Sequence, residues 1–453
     1  MKSIEYNNQA IKHYNKAEYK EAEIFFKKAI EQDPNYAEAY SNLGALYAKL
    51  KLFDKAIALY QKAIELKPSY AGAYTNMGNA LNKTSRHEEA VYFHKLAISL
   101  DSNAANHFSN CASAYKNLGR FNLAKLYYIE ALKRDKYHVN AHFDLATILL
   151  QTGEYEAGWR EYEWRFYKEE MKGHIALYRE IFKAQRYNGK KLENKERILV
   201  HAEQGYGDLF MVARYLYALK EKGATVVLYT REGSKELFES FTCVDEVHER
   251  DEKLPPFDMH IPFMSLPFVF DAKLQCINTH YPYIHVQQKA KLPKSAKLNI
   301  GVVWGASKTG ESYKNKVFDV RHFRLLSQAK EVQLYSLQLG EDAKDLQKYN
   351  LKNIIDLQER LTNFYETATY INALDLVITS DTSVAHLAGA MGKEVWVVLQ
   401  KVPDWRWGIC GENSLWYKSA KLFFQDSLQD FNSAFKKLYK ALEKHYNIKV
   451  LHD

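Results

Sequence analysis

Hydrophobic and polar positions in the first third of the chain follow a pattern that repeats about every 34 residues. In each copy, small residues recur at helical spacing along two successive stretches. The best-kept positions of the second stretches are Ala22, Phe26, Ala29 and Pro34, then Ala56, Tyr60, Ala63 and Pro68, then Ala90, His94 and Ala97, and finally Ala124, Tyr128 and Ala131. Because small residues let paired helices approach closely, the pattern predicts four stacked helix pairs. A fifth copy begins near His138 and becomes irregular after Gly153.

A repeat of this length is typical of tetratricopeptide repeats, whose stacked pairs form a solenoid. We assign residues 1–157 to this solenoid and expect its concave groove to bind an extended polypeptide. A structural spacer and a dimerisation arm are alternatives that the pattern leaves open. After the repeats, Trp159 and Tyr162 share one helical face, which predicts a capping helix and linker over residues 158–190. The end of that segment, residues 185–190, is predicted to be a loop.

After the capping segment, the chain alternates short apolar runs with amphipathic stretches, a pattern typical of α/β folds. In the first half of this region, residues 197–201 and 225–229 predict strands, and residues 209–222 predict the helix between them. In the second half, strands are predicted around residues 298–303, 332–337, 354–357, 376–378 and 395–399, and a closing amphipathic helix around residues 428–442. The predicted fold class is therefore α followed by α/β. Two Rossmann-like domains, residues 191–295 and 296–453, are expected on either side of a cleft.

Composition narrows the class of protein without identifying its function. A formal net charge of +8 on 453 residues is modest, so a solvated basic surface is favoured over a nucleic-acid interface. The four cysteines lack the spacing of a metal site, and the first residues lack the apolar region of a signal peptide. No apolar run in the sequence approaches the ~20 residues of a membrane-spanning helix. We therefore expect a cytoplasmic protein with no transmembrane segment and no nucleic-acid partner.

The strongest candidate for chemistry is a polar run that follows the fourth strand of the second half. It consists of Ser380, Asp381, Thr382 and Ser383. Residues of these types are good helix N-caps, and an alanine-rich helical stretch follows them. The carboxyl end of a parallel strand and the amino end of a helix together attract phosphate, so the run predicts binding of a nucleotide-linked substrate. His386 lies one turn into the helix, where it either donates to a phosphate oxygen or packs as a core histidine.

A second candidate lies where the first strand of the first half gives way to its helix. This turn contains Gln204, Gly205, Tyr206, Gly207 and Asp208. A carboxylate that projects from such a turn into a cleft can deprotonate an acceptor hydroxyl as a general base. Asp208 is therefore the candidate catalytic residue, and a helix N-cap is its alternative role. The residues Gln204, Gly205 and Gly207 are expected to shape the turn or to contact the acceptor.

A third candidate follows the first strand of the second half. It contains Trp304, Gly305 and Ser307, with Lys316 further along the chain. A residue as small as Gly305 allows close approach of the backbone to a ligand, and Ser307 can donate to phosphate. Lys316 can pair with a diphosphate. The alternatives are an ordinary loop and a solvated lysine.

The sequence contains no Asp-x-Asp pair, which argues against a Mg²⁺ or Mn²⁺ ion held on a diphosphate by paired carboxylates. We therefore expect no metal and no cofactor, with helix dipoles and basic side chains offsetting the charge of the diphosphate. The sequence also lacks the glycine-rich P-loop, HExxH and GxSxG patterns. Protein kinases, zinc proteases and serine hydrolases therefore have no support.

These motifs carry a resemblance to a known family. Residues 197–424 resemble the heptosyltransferase-like glycosyltransferases of the GT-B fold, and the whole chain resembles bacterial proteins in which tetratricopeptide repeats precede such an enzyme. The matching motifs are Gly158-Trp159…Tyr162-Glu163-Trp164-Arg165, His201-Ala202-Glu203-Gln204-Gly205-Tyr206-Gly207-Asp208, Leu374-Asp375-Leu376-Val377-Ile378…Asp381-Thr382…Ala385-His386-Leu387-Ala388-Gly389-Ala390 and Pro403-Asp404-Trp405-Arg406-Trp407. The fused layout is also similar to that of flagellin glycosyltransferases, whose repeats present the protein acceptor.

The resemblance implies transfer of a sugar from a nucleotide sugar, without a metal, in the cleft between the two Rossmann-like domains. It implies Asp208 as the base. It also implies a donor site formed by Asp381 and Thr382, with His386 nearby. Lys316 and the residue after it stand where this family usually carries an Arg-Ser pair, so the identity of the donor sugar stays open.

The sequence thus predicts an inverting, metal-independent glycosyltransferase that adds a sugar to a protein, such as flagellin, recruited by the repeats. Thr382, Ser383 and His386 are expected to stabilise the leaving phosphate. One alternative replaces the protein acceptor with a lipid-linked or surface glycan. Another is a non-catalytic repeat adaptor with a vestigial GT-B body. A sugar-nucleotide epimerase of the same fold is disfavoured, because an enzyme acting on a small molecule needs no peptide groove.

Overall fold

The computed structural model describes residues 2–270, 280–293, 296–306, 316–409 and 411–450. The chain divides into two compact units, residues 1–149 and 150–453. The finer division into four segments stays a prediction. Among the described residues, no helix is both long enough and apolar enough to cross a membrane.

The first unit consists of four consecutive helix pairs and most of a ninth helix. They are Lys2–Asn15, Tyr19–Gln32, Ala37–Lys49, Phe53–Leu66, Ala71–Lys83, His87–Leu100, Ala105–Asn117, Phe121–Arg134 and Val139–Gln151. A small residue on the first helix of a pair faces a ring on the second. A Cβ at Gly44 would lie 2.7 Å from Tyr60 Cε1, and a Cβ at Gly78 would lie 2.6 Å from His94 Cε1. The predicted repeats are confirmed, and the small residues are explained by this contact.

The turn between paired helices carries a residue with a left-handed backbone, and these residues share the spacing of the repeats. They are Ala17, Lys51, Ser85, Gly119 and Gly153, with φ of 60°, 61°, 63°, 71° and 86°. A left-handed backbone costs a residue with a Cβ about 1 kcal/mol or more, whereas glycine adopts it readily. The first three copies therefore hold a strained residue where the next two hold glycine.

The second unit contains two parallel sheets, and the first of these follows the capping segment. Its strands are β1 (Gln185–Arg186), β2 (Arg197–His201), β3 (Thr225–Thr230), β4 (Glu246–Glu249) and β5 (Met259–Pro262), in the order β1-β5-β2-β3-β4. The α-helices in this part are Tyr155–Tyr162, Glu169–Leu177, Arg179–Lys183, Tyr206–Val212, Tyr215–Glu221, Lys235–Glu239 and Leu266–Val269. The apolar run at residues 198–200 is fully buried, as expected for a strand covered on both faces.

Two predictions for this region were wrong in detail. Residues 185–190 were predicted as a loop, but strand β1 pairs there with Met259 and His260 at the edge of the sheet. Its two residues are too few to show an alternating pattern. The single helix predicted at residues 209–222 is two short helices, and the first of them begins at Tyr206.

Among the described residues, the second sheet has six parallel strands. They are β6 (Leu298–Val303), β7 (Val332–Ser336), β8 (Ile354–Asp356), β9 (Leu376–Thr379), β10 (Val395–Leu399) and β11 (Ala420–Phe424), in the order β11-β10-β9-β6-β7-β8. Its α-helices are Arg324–Ser327, Asp345–Lys348, Phe364–Ala373, Ser383–Ala390 and Phe431–Tyr446. The closing helix buries Phe435, Leu438 and Leu442 in the core of this sheet. The predicted fold class, α followed by α/β, is confirmed.

Strand order fixes where a ligand can bind. In the second sheet the chain runs outward from β6 to β8 and then returns to place β9 on the other side of β6. In the first sheet, β5 likewise lies on the far side of β2 from β3. Such reversals create a crevice beyond the carboxyl ends of the strands, where open α/β sheets bind their ligands. The polar runs at residues 204–208 and 380–383 follow β2 and β9 and so lie at these crevices, and Trp304 and Gly305 follow β6.

Candidate functional site

The carboxyl ends of β6 and β9 form one side of the site. Val303 pairs with Thr379 at the ends of these strands, and Ser380 Oγ donates to the carbonyl oxygen of Gly305 at 3.5 Å. The hydroxyl of Thr382 lies 2.8 Å from Thr379 Oγ1 and makes no capping bond to the helix Ser383–Ala390. The first N–H groups of a helix have no acceptor within it. This helix end is therefore suited to binding an anion, and binding of the donor phosphate there stays a prediction.

A chain of ion pairs extends from this edge to the first half of the unit. Lys316 Nζ lies 2.6 Å from Asp381 Oδ2 and 3.9 Å from Asp404 Oδ2. Arg406 Nη1 donates to Asp404 Oδ1 at 2.5 Å. Arg406 Nε donates to Asp208 Oδ1 at 2.8 Å, and Nη2 donates to the same oxygen. The structure thus links the predicted base to the predicted donor site through two cations.

Asp208 lies on the helix Tyr206–Val212, which begins directly after β2. The N-cap position is Gly205, so Asp208 is in the first turn of the helix and is not its cap. Its side chain is nearly buried, and both hydrogen bonds from Arg406 end on Oδ1. The other oxygen, Oδ2, is not held by Arg406. The alternative role of Asp208 as an N-cap is therefore wrong.

Gly207 explains how the two halves meet at the site. A Cβ at this position would lie 2.7 Å from Cδ2 of His386 on the helix Ser383–Ala390. Cβ atoms in proteins essentially never make a non-bonded contact this short. Glycine is therefore the residue that permits the helix carrying Asp208 to contact the helix carrying His386.

His386 is a packed and hydrogen-bonded residue. Only 3% of it is exposed, its Nδ1 lies 2.8 Å from Tyr417 Oη, and its ring stacks on Trp407 with centroids 4.8 Å apart. Burial lowers the pKa of His386 to about 4, so the imidazole is neutral at pH 7. Of the two roles that the sequence left open, the structure shows the packed histidine. A contact between His386 and the donor stays a prediction.

The loop before Gly408 supplies the residues that sequence reasoning missed. Asp404 accepts from Arg406 N and so caps the 3₁₀ turn Trp405–Trp407. Trp407 Nε1 donates to Asp381 Oδ1 at 2.8 Å, and Arg406 lies over the Trp405 ring, 4.4 Å from its centroid. These residues belong to a motif that carried the family resemblance. The alternation of charged residues with tryptophans could have marked them as site residues.

The cations of the ion-pair chain remain charged. Burial lowers the pKa of Arg406, but the carboxylates of Asp208 and Asp404 outweigh it and raise that pKa well above its ordinary value. Burial likewise lowers the pKa of Lys316, and Asp381 and Asp404 more than compensate. For Asp404, burial raises the pKa, but Arg406 and Lys316 bring it below its ordinary value. At neutral pH the Asp404 carboxylate and both cations are therefore ionised.

The third predicted group is only partly at the site. The Trp304 ring is fully buried in the core of the second sheet. The backbone N–H groups of Trp304 and Gly305 donate to Gln338 Oε1 at 3.2 and 2.7 Å. A Cβ at Gly305 would lie 2.3 Å from Asp342 Oδ2, so this carboxylate, which sequence reasoning missed, lies at the same edge. Donor binding by Trp304 stays a prediction that concerns its backbone, and Ser307 lies outside the described residues.

A buried ion pair stabilises the turn that precedes Asp208. Arg165 Nη2 donates to Glu203 Oε1 at 2.8 Å and to Ser265 Oγ at 2.6 Å, and only 1% of Arg165 is exposed. Arg231 Nη1 donates to the carbonyl oxygen of Gln204 at 3.1 Å. The contact predicted between Gln204 and an acceptor stays a prediction. These bonds fix the backbone from which Asp208 projects.

Family models match both parts of the chain. Models of tetratricopeptide repeats match residues 18–51, 37–70, 59–92 and 112–162. The model of glycosyltransferase family 9 (heptosyltransferase) matches residues 271–413, which include Lys316, Asp381 and Arg406 but not Asp208. The predicted repeats and the predicted glycosyltransferase are thereby confirmed. No curated protein matches the chain.

Several solved structures are similar to part of the chain. The crystal structure of MamA is 22% identical and covers 36% of this chain and 96% of that one, with a TM-score of 0.32. PilF from Pseudomonas aeruginosa is 21% identical and covers 36% of this chain and 74% of that one, with a TM-score of 0.34. YrrB, a repeat protein with an unusual peptide-binding site, is 19% identical, covers 38% and 91%, and has a TM-score of 0.31. Similarity at this level adds nothing to the assignment of function.

Proposed function

We propose that this chain, in which tetratricopeptide repeats are fused to a glycosyltransferase family 9 (heptosyltransferase) domain, transfers a sugar from a nucleotide sugar to a protein acceptor. The two parallel sheets form a GT-B body, and the repeats recruit the acceptor in the cytoplasm. The observation that carries the proposal is the chain of ion pairs between Asp208 and Asp381. It brings a carboxylate suited to proton abstraction next to a helix end suited to phosphate.

The donor diphosphate is proposed to bind at the amino end of the helix Ser383–Ala390. Thr382 and Ser383 offer backbone N–H groups there, and Lys316 offers a charged ammonium group. The nucleoside would lie along the edge formed by Gly305 and Asp342, where a carboxylate can accept from ribose hydroxyl groups. Asp381 orients Lys316 through their ion pair. This arrangement offsets the charge of the diphosphate with protein groups, so the proposed reaction requires no metal.

The reaction is proposed to be a single displacement at the anomeric carbon. As the acceptor oxygen forms its bond to that carbon, its proton passes to Asp208 Oδ2, and the bond from the anomeric carbon to the phosphate oxygen breaks. The electron pair of that bond leaves with the diphosphate. Because Arg406 holds Oδ1, the second oxygen can face the acceptor. One displacement inverts the configuration of the sugar.

The acceptor is proposed to be a protein because the enzyme domain follows a repeat array of the kind that binds extended polypeptide. Flagellin is one candidate of this type. If the acceptor were a lipid-linked or surface glycan, the enzyme would use the same reaction at the donor. A vestigial adaptor would not transfer sugar at all.

The test supplies the purified full chain with labelled nucleotide sugars and a cell extract separated into protein and lipid fractions. Label that enters protein, with inverted anomeric configuration and in the presence of EDTA, is the expected result. Label in the lipid fraction would establish the glycan acceptor. An absence of binding and turnover with every nucleotide sugar would favour the adaptor. Asp208→Asn should lose transfer by on the order of 10²–10⁴ while it still folds.

A further inference from the structure

The backbone of Arg406 is fixed by neighbouring residues, whereas its side chain lies between two carboxylates. Trp405 packs edge-on against Trp159 with centroids 5.6 Å apart, and Trp407 stacks on His386. Gln151 Nε2 donates to the carbonyl oxygens of the residues on either side of the turn, Pro403 at 2.9 Å and Gly408 at 3.2 Å. A change of partner by Arg406 therefore requires only rotation of its own side chain.

Among the described residues, both cations of the ion-pair chain already pair with carboxylates. Lys316 and Arg406 serve the carboxylates of Asp208, Asp381 and Asp404. The neighbouring His386 contributes no positive charge at pH 7, because burial holds its pKa at about 4. Within the part of the chain that the structure describes, the carboxylates of this group therefore outnumber its cations before any diphosphate is added. A diphosphate beside Lys316 would meet repulsion from these carboxylates unless a cation turned toward it.

Arg406 is placed to be that cation. Asp404 accepts from Arg406 through Oδ1 and faces Lys316 through Oδ2, so one carboxylate separates the guanidinium from the ammonium. A diphosphate bound on Lys316 would thus lie within reach of the Arg406 side chain. The planar guanidinium binds phosphate oxygens through two parallel bonds, which the ammonium of lysine cannot do.

We propose that Arg406 exchanges Asp208 for the donor diphosphate when the donor binds. The inference rests on the proposed function. Donor binding then frees the base, and the residue that held the base stabilises the leaving group. As the bond to the diphosphate breaks, Asp208 gains the acceptor proton and loses the charge that attracts Arg406. The guanidinium therefore stays on the diphosphate until the nucleotide leaves.

The opposite result is expected if the ion pair between Arg406 and Asp208 is purely structural. If Arg406 only braced the Asp208 carboxylate, removal of that charge would affect nucleotide binding solely through the general field of the site. Under the exchange, Asp208 and the diphosphate compete for one guanidinium. The effect of Asp208 on nucleotide affinity must then depend on the presence of Arg406.

The experiment measures binding of UDP, GDP, ADP and CDP to the full chain by calorimetry in the presence of EDTA, and continues with the tightest of them. Asp208→Asn should bind this nucleotide on the order of tenfold more tightly, because Arg406 is released from a charged hydrogen bond. Arg406→Gln should bind it on the order of 10- to 100-fold more weakly. In the double variant, the gain from Asp208→Asn should vanish.

Controls separate the exchange from other effects. The nucleoside without phosphate should bind all variants alike. Glu331→Gln and Lys297→Gln neutralise an exposed ion pair at the amino end of β6, away from the carboxyl edge, and should leave affinity unchanged. If Arg406→Gln does not fold, Arg406→Lys keeps the charge without the two parallel bonds and should still weaken binding and reduce the gain from Asp208→Asn.

Two results would overturn the exchange while leaving the proposed function intact. One is a gain from Asp208→Asn that persists undiminished beside Arg406→Gln, which would indicate a general field effect. The other is a nucleotide affinity that neither single substitution changes. If no nucleoside diphosphate binds the unmodified chain, the proposed donor site itself is wrong, and the exchange fails with it.

Discussion

Gly207→Ala tests how much the close contact between two helices contributes to the site. The added Cβ would lie 2.7 Å from His386 Cδ2 and 3.4 Å from Nε2. The imidazole cannot simply turn aside, because Tyr417 Oη holds its Nδ1 and Trp407 covers its face. The helix that carries Gly207 must therefore shift, and Asp208 is the next residue on it.

Two contributions of opposite sign determine the stability of this variant. Alanine favours a helix over glycine by up to about 1 kcal/mol in a helix interior. Gly207 is the second residue of the helix Tyr206–Val212, so the gain should be smaller there. Extra volume in a filled site costs about 1–3 kcal/mol. We expect a net loss of about 1–2 kcal/mol in the free energy of unfolding.

The effect on activity should exceed the effect on stability. A displacement of about 1 Å in a reacting group can lower the rate on the order of 100-fold. Initial rates of nucleotide-sugar consumption and unfolding in urea would measure both quantities. The matched control is Gly173→Ala on the helix Glu169–Leu177, where a Cβ would meet no heavy atom within 4 Å beyond its helix backbone and chain neighbours, among the described residues. Equal effects of the two substitutions, or a normal rate of turnover by Gly207→Ala, would refute this role of the helix contact.

Three further predictions concern buried charges and protons. Asp208→Asn should abolish nearly all transfer, by on the order of 10²–10⁴, yet unfold in urea at a midpoint close to that of the parent chain; near-normal turnover would remove Asp208 from the mechanism. Burial lowers the pKa of His386 from 6.5 to about 4. Between these pH values the unfolded chain therefore binds more protons than the folded chain. This histidine alone should lower the free energy of unfolding by about 3 kcal/mol as the pH falls from about 6.5 to about 4. His386→Asn should show a correspondingly shallower loss in urea titrations at pH 7 and pH 4.5, and an equal slope would contradict the assignment. Arg165→Lys should lower the free energy of unfolding by about 1–3 kcal/mol, because one ammonium nitrogen cannot replace both Nη1, which donates to Glu163, and Nη2, which donates to Glu203 and Ser265. Arg160→Lys, in an exposed ion pair, should have no measurable effect.

The repeats and most strands could be predicted because their determinants are local. Helix pairs need a small residue at each close contact, and that need leaves a regular spacing in the sequence. Central strands such as β2 and β9 are buried on both faces and therefore appear as unbroken apolar runs. The strands β1, β4, β5 and β11 were not predicted, because a short or partly exposed strand has no such pattern.

The site was predictable only where a motif holds all of its parts in one segment. The run from Ser380 to His386 could be assigned because its strand, turn and helix are contiguous. The partner of Asp208 could not be assigned from the sequence, because Arg406 lies 198 residues further along the chain. The packed state of His386 likewise depends on Trp407 and Tyr417, whose positions only the folded chain determines.

The left-handed turns of the repeats also set the order in which the solenoid opens. In a linear array, each helix pair is stabilised mainly by its immediate neighbours, so a penalty within one copy stays local. The copies that hold Ala17, Lys51 and Ser85 at φ near 60° carry this penalty, while the later copies with Gly119 and Gly153 do not. Amide hydrogens should therefore exchange faster in the first three helix pairs than in the two that follow them. The first three helix pairs are thus the part of the array that can most readily unfold and refold around a partner.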